Sequence, residues 1–291
     1  MTDAKQTAAK LSCWKNSVDP QPLTGGITNA NFIVDDAGER YFVRVGDDIP
    51  LHGVMRFNEL AASRAAYEVG LSPEVIHHEF GAMVMRFIDG TTLRPSDIRQ
   101  PANLERIVSL VRRCHDEIPK HFRGPALVFW VFQVLRDYAN TLREASSRMV
   151  LELPRLMKVA EQLEESVGPV RLRFGHNDLL AANFIDDGKR LWLVDWDYAG
   201  FNSPLFDLGG LASNNELSST QEQWLLETYF DAAIDDELRR RYAAMKCASL
   251  LRESMWSMVS EVYSNIDFDY VGYTTENLDR FEKAWTDFQT N

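Results

Sequence analysis

The sequence predicts an α+β fold with two unequal lobes. Short β-rich runs separated by turns fill residues 20–88, with one amphipathic helix among them. From residue 101 onward, most segments carry apolar residues at helical spacing. The composition changes near Asp89 and Gly90. We therefore expect an N-terminal lobe over residues 1–88, a small antiparallel sheet with one main helix, and a larger, mostly helical C-terminal lobe over residues 89–291.

The N-terminal lobe begins with a predicted β-hairpin at residues 31–34 and 40–45. Its two β-rich runs flank a turn that is rich in Asp and Gly. Residues 55–69 predict a helix, because apolar residues recur at helical spacing and Gly70 follows as a stop signal. Two further short strands are expected at residues 74–77 and 82–87.

The C-terminal lobe is predicted to be a set of helices with one interruption. Helical spacing marks segments around residues 104–111, 129–135, 220–234, 236–263 and 275–288. An island over residues 171–207 is rich in Gly, Asn and Asp and contains an apolar strand at residues 191–194. Loops of this composition often carry function, so the island is a candidate site.

The composition indicates a soluble globular protein and excludes several partner classes. The 291 residues are 45% hydrophobic and 25% charged, which suits a chain with a real core. Asp and Glu outnumber Lys and Arg by 43 to 31, and the net charge of −12 argues against nucleic acid or an anionic membrane as a partner. The three cysteines are far apart, and neither a signal-peptide pattern nor a membrane-spanning run is visible. We expect a cytoplasmic protein, and the sequence leaves its oligomeric state open.

The island contains the pattern His-x-Asp-x-x-x-x-Asn, starting at His176, and then a strand that ends in Asp195. Phosphoryl transfer requires a protein to hold a metal-bound triphosphate, align a hydroxyl group and accept its proton. Asp178 at the start of the loop can accept that proton, while Asn183 and Asp195 offer the oxygen ligands that Mg²⁺ prefers. The same residue types also form ordinary surface turns, but the strand that places Asp195 favours a catalytic site.

These motifs resemble the catalytic core of the choline/ethanolamine kinase family, part of the aminoglycoside phosphotransferase group with its protein-kinase-like fold. The resemblance covers about residues 23–263 and is strongest in residues 176–183 and 193–209. It implies a bilobal protein-kinase-like fold with ATP and Mg²⁺ as cofactors. It also implies roles for four residues: Asp178 is the catalytic base, Asn183 and Asp195 bind Mg²⁺, and Asp207 is a buried brace for the catalytic loop.

A glycine-rich segment before the predicted hairpin is a candidate phosphate loop, with Gly25, Gly26, Thr28 and Asn29 as its binding residues. Paired glycines let backbone N–H groups approach a phosphate closely, and the polar side chains add donors. Paired glycines before a strand also form plain turns. The position at the start of the hairpin resembles the nucleotide loop of choline kinases.

The next strand offers Arg44, whose guanidinium suits bidentate phosphate binding. The family commonly has Arg where protein kinases have Lys, and Glu59 resembles the acid that orients this cation. Residues 85–88 lie where the hinge between the lobes runs in the family, so the backbone around Met85 and Phe87 is expected to hydrogen-bond adenine. Solvated surface charge is the alternative interpretation of Arg44 and Glu59.

Aromatic and acidic residues are candidates for binding a small cationic alcohol, because aromatic faces and nearby carboxylates hold a quaternary ammonium. The candidates are Trp196, Asp197, Tyr198, Glu253 and Trp256. Residues 251–261 resemble the helix that lines the choline pocket, and Trp256 matches an aromatic position there. Two residues depart from the family: Glu253 where eukaryotic members tend to have an aromatic residue, and Asn214 near a usual acid. Aromatic residues at helical spacing are also common in cores.

The sequence therefore predicts an ATP- and Mg²⁺-dependent kinase that transfers the γ-phosphoryl group to the hydroxyl of choline or a similar amino alcohol. One alternative keeps the fold and changes the acceptor to an aminoglycoside, thiamine, a sugar or homoserine. The net charge of the chain does not distinguish these acceptors from an amino alcohol. The other alternative is a nucleotide-binding module without catalysis. The intact Asp178, Asn183 and Asp195 argue against that module.

Overall fold

The computed structural model describes residues 2–23 and 29–290. The strands are β1 (Gln21–Leu23), β2 (Ala30–Asp36), β3 (Glu39–Val45), β4 (Val75–Glu79), β5 (Ala82–Arg86), β6 (Thr91–Thr92), β7 (Arg173–Gly175), β8 (Phe184–Asp186), β9 (Leu191–Leu193) and β10 (Gly200–Asn202). The helices are α1 (Thr2–Ala9), α2 (Arg56–Glu68), α3 (Pro95–Ile98), α4 (Pro101–His121), α5 (Val131–Glu144), α6 (Leu153–Val167), α7 (Pro204–Asn214), α8 (Ser219–Phe230), α9 (Asp236–Tyr263) and α10 (Tyr270–Thr290).

The N-terminal strands form one antiparallel sheet in the order β1-β2-β3-β5-β4. Strands β2 and β3 are the predicted hairpin, and the turn residues Ala37 and Gly38 have φ of 52° and 85°. Positive φ at both central residues is typical of the two-residue hairpin turns that match the twist of the strands. Strands β4 and β5 confirm the other two predicted strands of this sheet.

Helix α2 confirms the predicted helix of the N-terminal lobe, and Gly70 follows its end with φ of 70°. Its buried alanines, including Ala62 and Ala66, belong to the large core of the C-terminal helices. The sheet has a separate small core that includes Phe32 and Val43. The division of the chain at residue 88 stays a prediction, since α2 shares its core with the helices that follow that division.

Helix α9 is the central element of the C-terminal lobe and packs against α5, α6, α7 and α10. It was expected at residues 236–263 and has these bounds in the structure. The other predicted helices correspond to α4, α5, α8 and α10, with longer or shifted bounds. No helix among residues 2–23 and 29–290 is both long and apolar enough to cross a membrane.

Four helices were not expected: α1, α3, α6 and α7. Helix α6 carries apolar residues at helical spacing, so its sequence signal was present. Helix α7 contains two adjacent glycines, which disfavour a helix on propensity alone. A Cβ atom at Gly209 would lie 2.8 Å from the Cα of Lys246, so the glycine permits close packing of α7 on α9. Tertiary packing therefore stabilises a helix that local propensity does not predict.

The Gly- and Asn-rich island is held by two small sheets. Strands β7 and β10 form one antiparallel pair, and β6, β8 and β9 form a three-stranded sheet. Strand β9 confirms the predicted apolar strand. The loop from β7 to β8 and the turn from β9 to β10 are the segments that carry the predicted catalytic residues.

Candidate active site

The loop between β7 and β8 carries Asp178 and is held by the buried carboxylate of Asp207 on α7. Asp207 accepts hydrogen bonds from the backbone N–H groups of His176, at 2.8 Å, and Asn177, at 2.7 Å. The ring of His115 lies 2.9 Å from the same carboxylate. Burial alone would raise the pKa of Asp207, but these hydrogen bonds outweigh burial and lower it. Asp207 has the bracing position that the resemblance implies.

The backbone before Asp178 has an unusual conformation that side-chain hydrogen bonds stabilise. Asn177 has φ of 64°, in the left-handed region, and its side-chain amide donates to the carbonyl oxygens of Tyr198, at 2.9 Å, and Gly200, at 3.2 Å. A Cβ atom at Gly175 would lie 3.0 Å from side-chain oxygens of Asn177 and Asp207. The loop conformation therefore favours a glycine at position 175, since a larger residue would displace these side chains, and it is tied to the turn that follows β9.

The carboxylate of Asp178 is half-buried, and no hydrogen bond joins it to another of the residues that the structure describes. Burial raises the pKa of Asp178 to about 8, an effect that the charge of Arg252 opposes and the charges of Glu253 and Asp195 reinforce. A carboxylate without a protein partner and with a raised pKa suits a general base.

Asn183 and Asp195, the predicted metal ligands, are brought together with the Asp178 loop. The Asn183 side chain donates to the backbone carbonyl of Asp178 at 2.8 Å, and the Asn183 carbonyl accepts from the Val194 N–H at 3.0 Å. Asp195 follows directly, with φ of 69°. Its carboxylate lies 3.1 Å from the Arg44 guanidinium. The end of the catalytic loop and the end of β9 therefore meet at one place.

The donor set of Asn183 and Asp195 fits Mg²⁺. Mg²⁺ binds amide and carboxylate oxygens and takes its other ligands from phosphates and water. The Oδ1 atom of Asp195 makes no well-aligned hydrogen bond and has one cation nearby, the Arg44 guanidinium, so its carboxylate keeps oxygen lone pairs that a metal ion would use. Within the described ranges, no group of three His, Cys, Asp or Glu side chains offers a metal centre, so a cation here would depend on the nucleotide phosphates.

On the sheet side of the site, Arg44 of β3 is buried among three carboxylates. Its Nη1 atom hydrogen-bonds Glu59 and lies 2.7 Å from Asp197, while its Nη2 atom lies 3.1 Å from Asp195. Burial alone would lower the pKa of Arg44, but the three carboxylates outweigh burial and raise it. The predicted pairing of Arg44 with Glu59 is present in the structure.

Arg56, at the start of α2, completes this group and was not among the predicted site residues. Its Nη1 atom lies 2.5 Å from Glu59 and 2.8 Å from Asp197, and its Nη2 atom donates to Asn29 at 2.6 Å. Asn29 donates to Asp197 at 3.1 Å. We call Asn29, Arg44, Arg56, Glu59 and Asp197 the sheet-side cluster. The spacing of Arg56 three residues before Glu59 was the available signal.

Asp197 was predicted to bind the acceptor, but the structure places it in the sheet-side cluster. Burial alone would raise the pKa of Asp197, but Arg44 and Arg56 outweigh burial and lower it. Its carboxylate is therefore engaged by two protein cations. A contact with a cationic acceptor stays a prediction that this placement does not favour.

The remaining predicted nucleotide residues lie in two segments. Gly25, Gly26 and Thr28 lie outside the described residues. Met85 is paired in the sheet as part of β5. The Phe87 N–H already donates to the Arg40 carbonyl oxygen at 3.2 Å, so a hydrogen bond to adenine would use other backbone groups of this segment.

Tyr198 and Trp256, predicted to bind the acceptor, touch each other in a buried aromatic group. The Trp256 indole N–H donates to the Tyr198 hydroxyl at 2.9 Å. The rings of His52 and Tyr273 lie 5.2 Å and 6.4 Å from the Trp256 ring. Trp196 lies in a different place: it is 1% exposed and its ring is 4.7 Å from that of His176. This position does not favour the predicted role of Trp196 in acceptor binding, which stays a prediction.

Glu253, the predicted carboxylate on α9, is held by two neighbours. It accepts hydrogen bonds from the Tyr273 hydroxyl, at 2.8 Å, and from Arg252, at 3.0 Å. Arg252 was not among the predicted site residues. Its guanidinium lies 4.2 Å from the Tyr198 ring. We call Tyr198, Arg252, Glu253, Trp256 and Tyr273 the helix-side cluster. In a sequence, a single Arg in a helix looks like a surface charge, because the buried face of the helix is not known.

The sequence model of the choline/ethanolamine kinase family matches residues 21–242, including the catalytic loop and both metal-ligand candidates. The chain belongs to the choline/ethanolamine kinase family. Membership confirms the expected enzyme class, a phosphotransferase with an alcohol group as acceptor.

Relatives of the chain carry names from the same family. Protein LicA of Haemophilus influenzae is 28% identical over 272 residues, which cover 89% of this chain and 78% of that protein. Ethanolamine kinase 2 of Homo sapiens is 27% identical over 301 residues, which cover 93% of this chain and 77% of that protein.

Solved structures confirm the predicted kinase-like fold class. A crystal structure of a choline/ethanolamine kinase family protein from Mesorhizobium loti is 25% identical with a TM-score of 0.77, over 97% of this chain and 94% of that one. The predicted α+β architecture, with a sheet-based N-terminal part and a helical C-terminal part, is thus confirmed.

Proposed function

We propose that the chain catalyses the ATP- and Mg²⁺-dependent transfer of the γ-phosphoryl group to the hydroxyl of choline or a similar amino alcohol. The observation that carries this proposal is the convergence of the unpartnered Asp178 carboxylate with Asn183 and Asp195. The adjoining Arg44 gives a phosphate-binding cation. The family and its relatives named ethanolamine kinase support the same reaction.

Asp178 is proposed to act as the general base. It accepts the hydroxyl proton as the alcohol oxygen bonds to the γ-phosphorus, the bond from that phosphorus to the β–γ bridging oxygen breaks, and ADP leaves with the bonding electrons. The proton on Asp178 then passes to solvent. Asp207 and Asn177 keep the base in place through the hydrogen bonds of its loop.

The phosphate end of the site requires positive charge, because the chain itself has a net charge of −12. Asn183 and Asp195 would hold Mg²⁺, which when bound supplies positive charge to the phosphate oxygens. Arg44 would add a second positive charge from the sheet, and Asn29 would add an amide donor at the end of the predicted phosphate loop. Preorganised positive charge of this kind is the main protein contribution to phosphoryl transfer.

A coupled ADP-release assay over choline, ethanolamine, thiamine, homoserine and an aminoglycoside tests the proposal. We expect release above the acceptor-free rate with an amino alcohol, and loss of that release when EDTA removes Mg²⁺. Release with the aminoglycoside or thiamine alone would move the proposal to that acceptor. ATP binding without release for any acceptor would instead support a non-catalytic module.

A further inference from the structure

Arg252 of the helix-side cluster lies on the segment that, by the family resemblance, lines an aromatic pocket for a cation. It is 4% exposed, and its guanidinium lies 4.2 Å from the Tyr198 ring and 5.6 Å from the Phe129 ring. A cation over an aromatic face is the arrangement by which proteins bind quaternary ammonium groups. Here the cation belongs to the protein.

The aromatic group around Arg252 leaves little face for a second cation. Tyr198 is 8% exposed and Trp256 is 4% exposed. Their polar atoms hydrogen-bond each other, and Trp256 is further covered by His52 and Tyr273. A quaternary ammonium would also meet the positive charge of Arg252 at short range. Recognition of the acceptor by an aromatic cage is therefore disfavoured in this chain.

Arg252 keeps hydrogen-bonding capacity that the protein uses only in part. Its Nη1 atom donates to Glu253 and its guanidinium interacts with the Tyr138 hydroxyl, whereas its Nε and Nη2 atoms are buried without a well-formed hydrogen bond. Buried unpaired N–H groups are unfavourable unless a ligand accepts their hydrogen bonds, and a guanidinium is well matched to a carboxylate. Arg252 lines a cavity of about 10 Å³ together with Asp178, Glu253, Asn214 and Ser249, so a larger ligand would enter only with movement of these side chains. A carboxylate is the group that would satisfy the two unpaired guanidinium nitrogens.

We propose that the acceptor is an amino alcohol that also carries a carboxylate, a hydroxy amino acid, and that Arg252 determines this specificity by binding the carboxylate. The inference rests on the proposed function, because it names the acceptor class of the same site. Glu253 supplies the negative charge for the ammonium group, and Asp178 accepts the hydroxyl proton. The oxyanion that Arg252 binds could come from two sources, the acceptor or the transferred phosphoryl group, and the experiment separates them.

The test uses acceptor pairs that differ by the carboxylate alone. Serine is compared with ethanolamine, homoserine is compared with 3-aminopropan-1-ol, and choline is included. ADP release by the full chain with MgATP gives kcat and KM for each. We expect kcat/KM to be higher by about tenfold or more for the hydroxy amino acid of at least one pair. A preference of the wild-type chain for choline or for the members without a carboxylate would overturn this inference and leave the proposed function intact.

Arg252→Gln tests the source of the oxyanion. We expect KM for the hydroxy amino acid to rise by about tenfold more than KM for its partner, so that the preference shrinks, with Arg252→Lys intermediate. A fall in kcat that is equal for all acceptors, with the preference unchanged, would assign Arg252 to the phosphoryl group and overturn the inference. If Arg252→Gln fails to fold, the wild-type acceptor pairs decide. Absence of turnover with every acceptor, while ATP binds, would overturn the proposed function as well.

Discussion

Two buried arginines lie in very different surroundings. Arg44 of the sheet-side cluster contacts three carboxylates and leaves only Nε without a partner. Arg252 of the helix-side cluster contacts one carboxylate and two aromatic rings, and leaves both Nε and Nη2 without partners. A buried charge that the protein neutralises contributes to holding elements together. A buried charge that is only partly paired keeps its capacity for a ligand.

The largest expected effect comes from Asp178, whose pKa responds to charges in both clusters. Asp178→Asn should lower kcat by about 10²–10⁴-fold, because the amide cannot accept the hydroxyl proton. ATP affinity should stay close to wild type, since the proposed phosphate contacts remain. The measurements are ADP release and nucleotide titration. Asp187→Asn, in the turn after β8, is the matched control. Turnover near wild type in Asp178→Asn would show that Asp178 is not the general base.

Stability measurements on variants of Arg44 and Arg252 distinguish a structural charge from a charge that is kept for a ligand. Arg44→Gln should lower the free energy of unfolding by about 3–5 kcal/mol, because it leaves the buried carboxylates of Glu59 and Asp197 with Arg56 as their close cation in the cluster. Arg252→Gln should lower it by only about 1–2 kcal/mol, since Glu253 keeps the Tyr273 hydrogen bond. Urea denaturation at neutral pH gives both values. Equal losses would show that Arg252 is as much a structural charge as Arg44.

The smallest predicted effect concerns His52, which packs on Trp256 beside the helix-side cluster. Burial, together with the charge of Arg252, lowers the pKa of His52 to about 3. The unfolded chain therefore binds a proton at this residue below about pH 6.5 while the folded chain does not, so stability falls as pH falls.

Between pH 7 and 5.5 this linkage should remove about 1 kcal/mol of stability from the wild-type chain, and less from His52→Gln. Urea denaturation at both pH values checks it. His121→Gln, at the exposed end of α4, is the control. A pH dependence that is the same in His52→Gln and wild type would show that His52 is not the responsible group.

The parts of the fold that sequence could predict are those with local patterns. The bounds of α9 follow from helical spacing, and the hairpin follows from its strand and turn composition. Helix α7 could not be predicted in this way, because its glycines are favoured by close packing on α9 rather than by local propensity.

The site shows the same division between local and distant information. Arg44 and Glu59 could be proposed because each lies at a defined place in a predictable strand or helix. Arg56 and Asp197 are 141 residues apart, and their contact depends on how the sheet meets the later turn. The role of Arg252 could not be predicted, because its contacts with aromatic rings form only when α9 is buried. Long-range pairing therefore explains why these contacts were missed.

The distribution of the two hydrophobic cores has a consequence for motion. Glu59 lies on a helix that is anchored in the large core, whereas Arg44 lies on a sheet with a core of its own. A rocking movement of the sheet would therefore pull Arg44 away from Glu59 and Asp197. This movement is unfavourable because it leaves buried charges without their partners. The ion pairs of Arg44 with Glu59 and Asp197 oppose this movement. If these ion pairs break, triphosphate oxygens would be the replacement partner for Arg44. If a nucleotide binds Arg44, its binding would therefore be coupled to the position of the sheet through one guanidinium.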